Sequence, residues 1–210
     1  MTLERPSLWR HPHPLLLASG SPTRRVLLEA AGVPIITRVP LIDERAIEAR
    51  AATPGAAESA VASQLATAKA AAVAPFAATH QIVLGADQTL LLGKEPFHKP
   101  SGRAGVATQL MKLSGKTHIL HSAIAVFQDG EEIFSAASSA FMTMRILSPE
   151  FIEHYISIAG DGILGCVGGY QLEGVGIHLF EKVEGDQPAI LGLPLYPLLK
   201  FLRETGYLAG

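Results

Sequence analysis

Four apolar residues in a row, Leu15-Leu16-Leu17-Ala18, stand directly ahead of Ser19-Gly20-Ser21-Pro22. Side chains alternate across a strand, so a strand that is apolar at every position needs cover on both faces. A parallel strand with helices on either side meets that requirement. The turn that follows is suited to start a helix. Ser21 is an N-cap candidate, and Pro22 takes the first helical position, where its missing N–H costs nothing. Thr23 to Ala31 then reads as helix, with Gly32 as its stop. A strand followed at once by a helix is the unit of a mixed α/β sheet, in which ligands bind beyond the carboxyl ends of strands.

The alternation continues along the chain. Ile35 to Val39 predicts a second strand, running into a loop from Pro40 to Arg45. Thr53-Pro54-Gly55 opens an Ala-rich helix to Ala74, with Val61, Leu65, Ala68 and Ala72 at helical spacing. Gln81 to Ala86 is a third apolar strand, with Asp87 at its C-terminal end, Leu90 to Leu92 continuing extended, and a polar loop from Gly93 to Pro100. Ser101 caps a helix to Leu113, stopped at Gly115. The middle third turns to β: Ile119 to Phe127 and Ile133 to Met144 join through Asp129-Gly130, a hairpin signal. Ser148-Pro149 starts a helix to Ile158, Val167 to Leu172 and Ile177 to Val183 read as short strands, and Leu193 to Gly206 is a closing helix. Residues 1–14 read as an extended tail and 15–210 as a single domain.

Hydrophobic residues make up 48% of the 210 and charged ones 17%, below the roughly 25% charge of ordinary domains. A large core is therefore available and general disorder is excluded. A formal charge of -2 argues against affinity drawn from a nucleic-acid backbone, so any anion site must be local. No apolar run approaches the roughly 18 to 20 residues of a membrane-spanning helix. The single cysteine, Cys166, excludes a disulfide framework and a Cys-based zinc site. These features predict a soluble cytoplasmic protein with neither membrane nor nucleic acid as partner. The Ala-rich and closing helices could pack within one subunit or between two, leaving a homodimer open.

Three groups of residues could carry chemistry. Ser19, Ser21, Arg24 and Arg25 surround a helix start, whose free N–H groups and partial positive charge suit a phosphate; the alternative is an N-cap with two solvated arginines. Asp43-Glu44 in a loop and Asp87 at a strand end could bind Mg²⁺ or orient water, or simply cap. Lys69 among alanines and Lys99 before Pro100 read on their own as snorkelling or solvated side chains. Other features lead nowhere. Gly115-Lys116-Thr117 lacks the earlier glycine of a P-loop, since Leu110 stands there. His118 and His121, three apart on a strand, face opposite ways and do not readily share a metal. Cys166 reads as a small packed hydrophobe, and Gly165 to Gly176 does not match a dinucleotide fingerprint.

Taken in order, these groups resemble the Maf family of nucleotide pyrophosphatases, over nearly the whole chain from Leu15 to Gly206. Leu17-Ala18-Ser19-Gly20-Ser21-Pro22-Thr23-Arg24-Arg25 is similar to the family's opening signature. Asp43-Glu44, Ala68-Lys69-Ala70, Gly85-Ala86-Asp87-Gln88, Lys99-Pro100, Leu113-Ser114-Gly115 and Gly192-Leu193-Pro194-Leu195 follow in family order. The resemblance implies a mixed twisted sheet flanked by helices, as two lobes around a central cleft. It also implies metal-dependent hydrolysis of a nucleoside triphosphate to the monophosphate and pyrophosphate. Carried over by position, Asp87 activates water and holds a divalent ion, Mg²⁺ or Mn²⁺, with Glu44. Arg24, Lys69 and Lys99 bind the triphosphate, with Ser19 and Arg25 near the first helix. Thr23, Gln88 and Glu173 stand where other members carry arginine, threonine and glutamine. That combination resembles the branch acting on 7-methyl-GTP, with Gln88 and Glu173 able to read a base edge. The alternatives are a dTTP/UTP-type pyrophosphatase and a nucleotide-binding regulator of cell division with little catalysis.

Overall fold

A computed structural model describes residues 7–51 and 59–210. The start of the Ala-rich helix at Thr53-Pro54-Gly55 and the first six residues of the tail lie outside the described residues. The elements are β1 (Leu15–Ala18), α1 (Pro22–Ala30), β2 (Ile35–Thr37), α2 (Glu44–Ala51), α3 (Ala60–Val73), β3 (Val83–Leu92), β4 (Glu95–Phe97) and α4 (Gly102–Leu113). Then come β5 (Thr117–Gln128), β6 (Glu131–Met144), α5 (Pro149–Ala159), β7 (Phe180–Glu184), α6 (Gln187–Ile190) and α7 (Leu195–Glu204). The sheet runs in the order β2-β1-β3-β5-β6-β7, with β4 pairing on β3. β1 is parallel to both neighbours, with Leu15 opposite Ile35 and Ala18 opposite Gly85. β4 on β3 and β7 on β6 are antiparallel. This is the mixed α/β class that the sequence predicts.

The chain divides into two compact units. The first takes residues up to Asp87 together with Ser122–Ala137 and Gly192–Gly210. The second takes Gln88–His121 and Ser138–Leu191.

In the first unit β1 is covered on both faces, as four consecutive apolar residues demand. Leu15 and Leu17 pack with Leu28 of α1, Leu84 of β3, and Leu198 and Leu202 of α7. Leu16 and Ala18 pack the other way, with Val83 and the α3 residues Ala62, Ala66 and Ala70. Alanine is needed on that face because the backbones come very close. A Cβ on Gly85 would lie 2.1 Å from the Ala66 carbonyl oxygen and 2.7 Å from the Ala70 nitrogen. α3 and α7 both bury their apolar stripes inside the subunit. The described part of the tail is tied down. Trp9 bridges Leu208, its ring stacks on Tyr207 at 6.3 Å between centroids, and Ala209 N donates to the Leu8 carbonyl at 2.8 Å.

The second unit has its own core, in which Val106, Leu110 and Leu113 of α4 meet Ile152, Tyr155 and Ile156 of α5. His118 on β5 is fully buried there, with Nε2 2.7 Å from the Tyr170 hydroxyl. Burial lowers its pKa to about 4, because the charged ring would lose its water.

Several elements differ from the sequence reading. Asp43-Glu44 does not sit in a loop; Glu44 opens α2, and Asp43 caps it by accepting from Ala46 N at 3.0 Å. β3 is one strand of 10 residues, not two pieces, so Asp87 lies inside it rather than at its end. It is nonetheless two residues beyond the last pair with β1. The Gly93 to Pro100 loop contains the short strand β4. Val167 to Leu172 is not a strand. Gly168 and Gly169 have φ of +80° and +70°, which no strand accommodates, and the segment Val167–Gly169 forms a 3₁₀ turn. Ile177 to Val183 is half correct, with a 3₁₀ turn to Leu179 before β7.

Candidate active site

The alternation of β3 explains how the site is assembled. Val83, Gly85 and Asp87 share the face turned toward α3: Val83 packs on its alanines, Gly85 touches its backbone, and Asp87 meets Lys69. The Lys69 ammonium lies 2.5 Å from Asp87 Oδ1 and 2.8 Å from Glu44 Oε1. Lys69 is therefore no snorkelling side chain; only 8% of it is exposed, and it bridges a carboxylate from α2 and one from β3. Asp87 is 7% exposed. Burial raises its pKa, the Lys69 and Arg24 charges pull it back down, and Glu44 adds to the rise. A carboxyl so placed is a stronger base than an exposed aspartate.

Arg24 reaches the same region from α1. Its Nε donates to the Gly192 carbonyl at 2.8 Å, and its Nη1 donates to the Ala86 carbonyl at 2.8 Å and to Ser19 Oγ at 3.2 Å. Burial lowers its pKa, and the negative charges of Asp87 and Glu44 oppose that. Ser19 Oγ also accepts from Ser21 N at 3.1 Å, and Ser21 caps α1 as the sequence predicts. Arg25 points elsewhere, pairing with Glu29 at 2.9 Å on an exposed face of α1. Thr23 is half-buried in the first turn of that helix.

Ser19, Thr23, Arg24, Glu44, Lys69 and Asp87 all belong to the first unit; Gln88, Lys99 and Glu173 belong to the second. Gln88 Nε2 donates to the carbonyls of Ala189 and Ile190 at 3.2 and 2.9 Å. Lys99 and Glu173 are exposed. Both act on the charge of Cys166, whose thiol pKa is raised by burial and by the Glu173 charge against a hydrogen bond from Gln171 and the Lys99 charge. Cys166 is a half-buried free thiol. His118 and His121 bond to Tyr170 and Ser139 respectively, so they do not converge. Two contributors are not read for this role in the sequence: the Gly192 and Ala86 carbonyls hold Arg24, although both residues lie in motifs that carry the family resemblance. Gly192 is 168 positions from Arg24.

Among the described residues no group of three His, Cys, Asp or Glu side chains converges to hold a metal. Glu44 and Asp87 do converge, since both reach one ammonium. Two hard carboxylates fit Mg²⁺ or Mn²⁺, which take oxygen ligands and keep several positions for water and substrate phosphates.

The family model described as Maf-like protein matches residues 14–205. A nucleoside triphosphate pyrophosphatase of Nitrobacter hamburgensis is 48% identical over 203 residues, covering 97% of this chain and 99% of that protein. A relative of the same name in Rhodopseudomonas palustris is 46% identical over an equal span. A 7-methyl-GTP pyrophosphatase of Rhizobium johnstonii is 48% identical over 196 residues, covering 93% of this chain and 98% of that protein. The family match takes in β1, α3, β3 and α7 alike, and the chain belongs to the Maf family.

Proposed function

We propose that the protein hydrolyses a nucleoside triphosphate to the monophosphate and pyrophosphate. The observation that carries this reading is the Lys69 ammonium held between Glu44 and a buried Asp87. The relatives' names supply the reaction class. In the step itself a water oxygen attacks the α-phosphorus, the bond from that phosphorus to the bridging oxygen breaks, and pyrophosphate leaves. Asp87 accepts the proton of the attacking water, helped by the burial that raises its pKa. Lys69 fixes the direction of the Asp87 carboxylate and offers positive charge to the phosphates. Such reactions depend on positioning and charge neutralisation more than on covalent chemistry. Glu44 and Asp87 would hold a divalent cation, which would neutralise charge on the phosphoryl oxygens.

The finer reading is a 7-methylated purine nucleotide as substrate. Its support is Gln88 and Glu173 in the second unit and the name of the Rhizobium johnstonii relative. A carboxylate at Glu173 accepts from guanine N–H groups and favours a cationic base. Lys99 is a proposed phosphate ligand on the resemblance to the Maf family, whereas Arg25, paired with Glu29 on an exposed face of α1, is left without a part in it. A cytoplasmic setting, with no nucleic-acid or membrane partner, belongs to this reading. Among the described residues no helix is long and apolar enough to cross a membrane. A homodimer is the assembly that sedimentation would test.

The experiment is pyrophosphate release from 7-methyl-GTP, GTP, UTP and dTTP with Mg²⁺ or Mn²⁺. Release from at least one nucleotide, lost in Asp87→Asn by a factor of about 10² or more, is expected. Tight triphosphate binding without product would instead favour a regulator. Glu173→Gln should weaken any preference for the methylated base.

A further inference from the structure

We propose that Arg24 is a positioning residue that sets the backbone at Asp87, and not a bidentate ligand of the substrate's phosphates. A guanidinium grips a phosphate through two neighbouring N–H groups on one edge. Here Nε is taken by the Gly192 carbonyl, and Nη1 by the Ala86 carbonyl and Ser19 Oγ. Both edges of the fork therefore contain a spent donor, and Nη2 alone is left to offer single contacts.

The acceptors explain what the side chain does. In the parallel β1–β3 ladder the Ile82 carbonyl accepts from Leu16 N at 3.0 Å. Carbonyl direction repeats every two residues, so Ala86, like Ile82, turns its carbonyl to the β1 side. β1 stops at Ala18, opposite Gly85, and has nothing to offer there. Arg24 takes the place of the missing strand. The Ala86 carbonyl and the Asp87 N–H belong to one rigid peptide plane, so the bond fixes the backbone from which the Asp87 carboxylate projects. The opposite end of the clamp is matched to it. Gly192 has φ +91°, and a Cβ there would stand 3.3 Å from Nη2 and 3.4 Å from Nε. Arg24 thus ties the first turn of α1, the β3 backbone at the base and the turn ahead of α7 into one unit.

The effect on turnover rests on the pyrophosphatase reading; the clamp itself does not. The test compares Arg24→Lys, Arg24→Gln and Gly192→Ala by kcat and KM, and by hydrogen exchange without nucleotide. The lysine and glutamine variants should lose roughly 30-fold or more in kcat with KM within about threefold, because a misplaced base costs rate rather than affinity. Gly192→Ala should move kcat in the same direction although it removes no charge. Exchange should quicken in peptides covering Val83–Leu92 and Gly192–Lys200 and stay unchanged in α4 and α5. The proposal is overturned if Arg24→Lys and Arg24→Gln raise KM and the inhibition constant of inorganic tripolyphosphate by about tenfold at constant kcat, with Gly192→Ala silent. It is equally overturned if exchange around Asp87 does not change. Should the wild type turn over no nucleotide, the functional reading fails while exchange still decides the clamp. If Gly192→Ala does not fold, the Arg24→Lys exchange pattern decides alone.

Discussion

At the scale of single residues, His118 shows what a buried titratable ring does to stability. Its folded pKa of about 4 lies below the ordinary 6.5, so the folded state favours the neutral ring. The stabilisation is complete above pH 6.5 and is lost as pH falls toward 4, where the unfolded chain takes up a proton that the folded one refuses. The difference of about 2.5 pKa units corresponds to about 3 kcal/mol. Urea melts between pH 7.5 and 4.5 should show a loss of that order, and His118→Gln, which keeps a partner for Tyr170, should flatten it. An unchanged slope in the variant would mean that other groups carry the acid sensitivity. Arg24, by contrast, is a residue whose type suggests an anion at a helix start, while its Nε and Nη1 donate to the Gly192 and Ala86 carbonyls and to Ser19 Oγ.

Among elements, the approach of α3 to β3 decides whether the site exists. Gly85→Ala places a methyl against the α3 backbone, and neither the Ala66 carbonyl nor the Ala70 nitrogen can rotate away. Forced separation should cost about 3 kcal/mol, lower the denaturation midpoint, and remove most turnover by withdrawing Lys69 from Asp87. Turnover and midpoint both at wild-type level would show that the helix moves freely. The elements were legible where one period dominates. β1, α1, α5 and α7 were visible because caps, prolines and apolar spacing agree. β3 was not, because Asp87-Gln88-Thr89 interrupts its apolar run, and only sheet pairing holds a polar triplet extended. α2 starts at an N-cap signal, Asp43 followed by Glu44, that is easily taken for a pair of chemical groups in a loop. The turns around Gly168 and Gly169 look like a strand until their positive φ is known. The grouping of Lys69, Glu44 and Asp87 could be inferred only through family resemblance, since no local pattern brings α2, α3 and β3 together.

At the scale of the whole molecule, the bridge at Lys69 bears on how the protein folds. Two carboxylates side by side would normally repel unless an ion arrived from solution, and proteins that rely on such an ion unfold when it is removed. Here the chain supplies its own internal counter-cation. Excess chelator should therefore abolish turnover yet leave the melting curve unmoved. The fluorescence of Trp9, the only tryptophan, offers a convenient signal because its ring packs on Tyr207. A melting point that dropped on chelation would show that Lys69 is insufficient. If the proposed divalent cation is required for turnover, catalytic readiness and structural survival are uncoupled: a protein deprived of the ion would stand idle but intact, able to restart when the ion returns.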